Sequence, residues 1–159
     1  MADSAKDQAG PDGITRIVEI GAKPETEREA VAECWVSMTS EAVAHLVAGT
    51  KKGDPIQTAK IAGMIGVKKT PDLLPHCHPI RVTGAEVVVQ PDPKAGRIRV
   101  ETTVRATDRT GVEMEALTAA AVAALSLYDT AKAFDPASRI DGLRLLSKSG
   151  GRSGDYRAS

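Results

Sequence analysis

Residues 110–132, TGVEMEALTAAAVAALSLYDTAK, form the run on which the reading of this chain turns. Alanine and leucine are strong helix formers, so the run predicts a helix of about six turns. Glu113 and Glu115 stand at its entrance, and Asp129 and Lys132 near its far end. Thr118, Val122, Leu125, Asp129 and Lys132 recur at spacings of four, three, four and three, which puts them on one line of the helix. Two ions then border an apolar stripe. Unpaired buried charge is costly, so Asp129 and Lys132 are expected either to satisfy each other one turn apart or to meet a polar ligand.

The segments on either side supply the helix's neighbours. Upstream, Arg97 to Thr107 alternates Ile98, Val100, Thr102 and Val104 with Arg99, Glu101, Thr103 and Arg105, the period of a half-buried strand. Arg81 to Gln90, with Val82, Val87, Val88 and Val89, has the composition of a second strand. The turn cluster Pro91 to Gly96 joins the two as a hairpin. Further back, Asp54 caps a helix with Pro55 at its first position, and Lys68-Lys69-Thr70-Pro71 closes it. A shorter helix, Glu41 to Ala48, is capped by Ser40 and stopped by Gly49. Ile14 to Ile20 and Ala30 to Met38 read as strands, and Arg139 to Lys148 as the last one.

Residues 1–13 read as a disordered tail, 14–155 as a single domain, and 156–159 as a C-terminal tail. Without the N-terminal extension, the order is strand, helices, strand, strand, helix, strand. That order predicts an α+β, ferredoxin-like fold, an antiparallel sheet with the helices packed on one face. The opposite face is expected to stay partly apolar and to be covered by a second subunit, making the protein oligomeric.

Composition narrows the function classes. A chain of 159 residues can bury roughly 70% of its unfolded surface without staples. Two cysteines, Cys34 and Cys77, make no disulfide framework, and no leader-like apolar run opens the chain, so a cytoplasmic location is expected. No stretch reaches the roughly 18 apolar residues of a membrane span. Twenty-one basic residues balance twenty-one acidic ones, and aromatic side chains are scarce. Nucleic acid is therefore an unpromising partner.

Several groups could carry chemistry. Carboxylates at a helix entrance ordinarily complement its positive end. Glu113 and Glu115, flanking Met114 in an extended approach, would instead project together as paired acceptors for an N–H beside an NH2, the edge of a guanine or pterin. The same acids repel a triphosphate, whose place would fall among Lys51, Lys52, Lys68, Lys69, Lys132, Lys148 and Arg152. Lys148 and Arg152 border glycine-rich turns that suit close approach to an anion, although by composition alone a frayed C-terminus is the preferred reading. His76-Cys77-His78 between Pro75 and Pro79 suggests zinc, but too few further ligands exist to close such a site. A histidine held there suits acid–base work or a phosphate contact. No metal site is expected, and neither a nucleotide-binding glycine loop nor a serine elbow is present.

A set of motifs then points to one family: Gly21-Ala22-Lys23-Pro24-Glu25-Thr26-Glu27-Arg28-Glu29-Ala30, Lys52-Gly53-Asp54, Ala59-Lys60-Ile61-Ala62-Gly63, Cys77-His78-Pro79, Thr110 to Ala119, Tyr128-Asp129 with Lys132-Ala133, and Leu145-Leu146 through Lys148-Ser149-Gly150-Gly151 to Asp155. With these the chain resembles the cyclic pyranopterin monophosphate synthases of molybdenum cofactor biosynthesis. The resemblance implies a lyase acting on 3′,8-cyclo-7,8-dihydroguanosine triphosphate, assembled as a hexamer, a trimer of dimers, with sites at subunit interfaces. It carries over Asp129, Lys132 and Lys52 as catalytic residues, and Cys77, His78, Glu113, Met114, Glu115 and Lys148 as substrate-binding ones; His76, adjoining the Cys77–His78 pair, is expected to bind substrate as well. It implies no resident cofactor, although magnesium could accompany the triphosphate. His76 stands where that family usually shows leucine, Arg152 replaces a lysine, and Thr130-Ala131 replaces Met-Cys. Within this reading the Asp129–Lys132 pair moves protons, with the lysine's proton affinity lowered by apolar groups and cations. The rival expectations are a ferredoxin-like nucleotide or pterin sensor without catalysis, and a purely structural subunit.

Overall fold

The computed structural model describes residues 13–159, so the expected N-terminal tail lies outside the described residues apart from Gly13. Eight elements follow in chain order: β1 (Thr26–Ser37), α1 (Ser40–Ala48), α2 (Pro55–Leu73), β2 (Val82–Asp92), β3 (Arg97–Asp108), α3 (Glu113–Ala131), β4 (Arg139–Ser149) and β5 (Tyr156–Arg157). The class is α+β, with a five-stranded antiparallel sheet ordered β2-β3-β1-β4-β5. The hairpin β2–β3 is present, with Val89 opposite Val100 and Val87 opposite Thr102. Both connections that cross the sheet run through helices, as the order of predicted elements requires.

The core lies between sheet and helices. Ala30, Ala32, Cys34 and Val36 of β1 and Ile98, Val100, Thr102 and Val104 of β3 are fully buried, the alternation of a strand with one face packed. Two polar members of this face are satisfied by the backbone of α3: Thr102 Oγ1 donates to the Ala116 carbonyl at 2.7 Å, and Cys34 Sγ to that of Ala120 at 3.3 Å. The buried side of α3 is its small residues, Ala116, Ala119, Ala120, Ala123 and Ala124, with Leu127. The line through Thr118, Val122, Leu125, Asp129 and Lys132 runs along the border: Thr118 and Val122 are half-buried beside α2, and Leu125, Asp129 and Lys132 are exposed.

Small residues are also needed where α2 crosses α3, at Ala119. A Cβ on Gly66 would lie 3.2 Å from the Ala119 Cα and from the Val122 Cβ, and one on Gly63 would lie 3.0 Å from Val87 Cγ2. The two helices meet at glycine on one side and alanine on the other, so there is no slack for a branched side chain. Gly66→Val is expected to destabilise the protein by about 1–3 kcal/mol through overpacking, visible as a lower denaturation midpoint at unchanged denaturant slope.

Local signals fare unevenly. Asp54 caps α2 as predicted, its carboxylate accepting from the Ile56 and Gln57 N–H groups at 2.8 and 3.1 Å. The cap of α1 is Thr39 rather than Ser40, its hydroxyl accepting from Ala42 N–H at 3.2 Å. Pro71 does not close α2, which runs on to Leu73, and Leu74 N–H donates to the Thr70 carbonyl. Ile14–Ile20 is not a strand: only Thr15 makes a bridge, and Ile14 and Ile17 stay half exposed. Tyr156 and Arg157, expected in a tail, pair with Lys148 and Ser147 as β5.

The far face of the sheet, expected to be partly apolar, carries Trp35 and Val88 but is charged at its centre. Glu33, only 5% exposed, accepts from Arg99 Nε at 2.8 Å and Arg144 Nε at 2.9 Å. Burial alone would raise the proton affinity of Glu33, but the hydrogen bonds and charges of the two arginines outweigh it and hold the carboxyl below its usual range. The Arg97 guanidinium covers Trp35 at 4.2 Å.

Candidate active site

The residues singled out from sequence fall into two groups, one at each end of α3. From Glu113 to Asp129 is sixteen residues of helix, about 24 Å at 1.5 Å per residue. Within one chain they form two half-sites.

The half-site at the C-terminal end is a cleft of about 870 Å³ lined by the turn 47–54 and by Asp129, Thr130, Ala133 and Phe134. The turn is closed by reciprocal backbone hydrogen bonds between Thr50 and Gly53, 2.9 and 3.0 Å, and Gly53 has φ 115°, a conformation side-chain-bearing residues rarely adopt. Lys51 and Lys52 are thereby fixed at its tip, and both line the cleft. Asp129 and Lys132 pair at 2.7 Å, with side chains 67% and 56% exposed. The mutual-satisfaction expectation holds, but the burial that prompted it does not. The hydrogen bond and charge of Lys132 lower the proton affinity of Asp129, with a smaller contribution from Lys52. Lys132 moves in the direction opposite to that expected, its proton affinity raised by the hydrogen bond and charge of Asp129.

One feature here escapes sequence reading. Phe134 rests on the imidazole of His45, ring centres 4.4 Å apart and planes within 10°. Asp135 Oδ2 accepts from the Thr39 N–H at 2.9 Å, which ties the end of the α3 segment to the start of α1. No local pattern joins residues so far apart in sequence.

At the N-terminal end, Glu113 and Glu115 are helical, not extended. Residues two apart on a helix diverge, so the two acids do not form a parallel acceptor pair. Glu113 Oε1 accepts from Lys148 Nζ at 2.9 Å, and the same lysine reaches Ser153 Oγ at 3.4 Å. Met114 points outward and is partly exposed. Glu115 is 2% exposed and helps line a cavity of about 460 Å³ with Met64, Val67, Lys68, Ile80 and Val82. Burial pushes its carboxyl up to about 7; its own backbone N–H opposes that, and the charges of Glu113 and Asp108 add to it.

The 74–81 loop joins this half-site between α2 and β2. Cys77 and His78 are half-buried, and the Cys77 thiol is shifted up by burial and then by the charge of Glu115. His76 Nδ1 lies 2.8 Å from the Arg16 carbonyl oxygen. The C-terminal glycines are not a frayed end. Gly150 and Gly151 have φ of 91° and 83°, and a Cβ on either would collide with the Glu27 carbonyl or the Arg28 guanidinium. Asp155 Oδ1 accepts from Gly150 N–H at 3.2 Å. Among the described residues no three His, Cys, Asp or Glu side chains converge on a metal-sized site.

Chemically, one half-site offers a buried carboxyl that titrates near neutrality beside an apolar cavity, and the other offers cations around an exposed carboxylate. Comparison with known families finds that the MoaC family model matches residues 17–151, a span that includes both half-sites.

Proposed function

The chain belongs to the MoaC family, a lyase family of molybdenum cofactor biosynthesis, and on that footing we propose that it converts 3′,8-cyclo-7,8-dihydroguanosine 5′-triphosphate to cyclic pyranopterin monophosphate with release of pyrophosphate. One observation carries the reading: Glu113 and Glu115, with Lys148 and the loop of His78 beside them, stand at one end of α3, and the Lys51–Lys52 turn with the Asp129–Lys132 pair stands at the other. A single substrate does not bridge them within one chain. The proposal therefore includes a homo-oligomer, a hexamer built as a trimer of dimers, in which the N-terminal half-site of one ferredoxin-like protomer meets the C-terminal half-site of its neighbour.

In this scheme Glu115 and Glu113 orient the guanine-derived ring, with Met114 against it. Lys52, His78 and Lys148 hold the triphosphate and offset the charge on departing pyrophosphate as a substrate hydroxyl closes on the α-phosphorus. Asp129 and Lys132 move the protons that ring opening, reclosure and cyclic phosphate formation require. Lys132 enters charged, held so by Asp129. A sensor would use the Glu115 cavity but has no need of the Asp129–Lys132 pair. No helix among the described residues is long and apolar enough to cross a membrane.

The test is to supply the cyclised dihydro-nucleotide and follow pyranopterin and pyrophosphate by mass spectrometry. Wild type is expected to form both, and Lys52→Ala to form little of either. Product traces identical with and without the protein would refute the assignment.

A further inference from the structure

We propose that His76 is a positioning residue: it latches the N-terminal arm, residues 14–20, across the loop that carries Cys77 and His78 and thereby holds that loop in place. The latch stands on geometry alone; its consequence for substrate rests on the proposed function.

The loop needs such a tie. It has neither helix nor strand, and Pro75 and Pro79 contribute no N–H. Its backbone is secured near its ends, where Cys77 N–H donates to the Leu74 carbonyl at 3.0 Å and Arg81 N–H to Asp108 Oδ2 at 3.0 Å. His76 stands within the first of these, the Leu74–Cys77 turn, and carries the contact from there to the arm. A carbonyl only accepts, so the proton of the 2.8 Å contact belongs to Nδ1, which donates to Arg16 across sixty residues of sequence. The arm is in turn anchored beyond its C-terminal end, where Arg109 Nη1 donates to the Gly21 carbonyl at 2.7 Å. With Ile14 and Ile17 half exposed, burial contributes little to holding the arm, and a polar contact weighs correspondingly more. Because Cys77 lies within the field of Glu115, the position of the loop also shapes the surroundings of that carboxyl. Leucine at this position could not donate, so the device is a property of this chain.

The full chain is compared with His76→Leu, which removes the donor, and His76→Asn, whose amide N–H can replace it. Three readouts follow: the rate at which iodoacetamide modifies Cys77, tryptic cleavage at the Arg16–Ile17 bond, and KM against kcat. Cys34 is silent in the first, being buried with its thiol pushed up to about 12. His76→Leu is expected to speed both labelling and cleavage about three- to ten-fold, the scale of one net hydrogen bond. KM should rise by a similar factor with kcat little changed, and His76→Asn should track wild type. Labelling and cleavage unchanged in His76→Leu, or equally fast in His76→Asn, would overturn the latch; a fall in kcat at constant KM would overturn the positioning role. If wild type itself fails to convert the cyclised nucleotide, the proposed function falls while labelling and cleavage still decide the latch.

Discussion

Asp129→Asn is expected to lower turnover of the cyclised dihydro-nucleotide by about 10²- to 10⁴-fold, the usual scale for losing a positioned acid–base group. The fold should survive. Asp129 is two-thirds exposed on the last turn of α3, its side-chain partner is the equally solvated Lys132, and asparagine has the same shape. What changes is proton traffic. The carboxylate can no longer take up a proton, and Lys132 loses the partner that raises its proton affinity. KM should move far less than kcat, because the lysines at the tip of the 47–54 turn are untouched. Circular dichroism with single-turnover kinetics checks both halves of the claim. Near-normal turnover in a folded variant would remove Asp129 from the mechanism.

Glu115→Gln is expected to flatten the dependence of stability on pH between about 5 and 8. In the native chain the carboxyl titrates near 7, against 4.5 as its ordinary value. Its folded-state proton affinity is therefore raised. Between those two values the native state keeps a proton that the unfolded chain has released, so stability falls as pH rises through the window. The difference amounts to about 3 kcal/mol over the window. Glutamine has the size and an acceptor oxygen but no charge to desolvate, so the variant should gain on wild type as pH climbs. Denaturation of both proteins at pH 5 and pH 8, at one fixed protein concentration to hold any assembly constant, gives the comparison. A wild-type-to-variant difference that is the same at both values would refute it. The same titration bears on binding. A ring edge that only donates hydrogen bonds prefers the ionised form, so its affinity for wild type should strengthen with pH through neutrality, and the variant should lose that slope.

Much of the frame is legible in the residues themselves. The alternation through Ile98, Val100 and Val104 identifies β3, Asp54-Pro55 starts α2, and the alanine run makes α3, because each depends on interactions a few residues long. β1 begins four residues earlier than its apolar pattern suggests, at Thr26, since the charges of its first residues are absorbed by partners on other strands: Glu29 accepts from Arg105 Nε at 2.7 Å. Ile14–Ile20 has the pattern of a strand, and only Thr15 finds a bridge. β5 has almost no pattern and is a strand because β4 offers it an edge. The motifs that identify the family were likewise visible in sequence, as was the pairing of Asp129 with Lys132.

By itself the sequence determined the elements that local signals specify, the three helices and the strands β2, β3 and β4, together with the motifs of the family, because capping, periodicity and motif identity are local. The tertiary structure decided where the candidate residues stand and what surrounds them. Close packing of α2 glycines against Ala119 and Val122 left exposed only the far end of the α3 line, Leu125, Asp129 and Lys132, and helical rather than extended backbone drove Glu113 toward Lys148 and Glu115 into a cavity. The length of one helix separated the two half-sites. Side-chain direction, burial and proton affinity depend on what another part of the chain brings alongside, and no short stretch of residues contains that information.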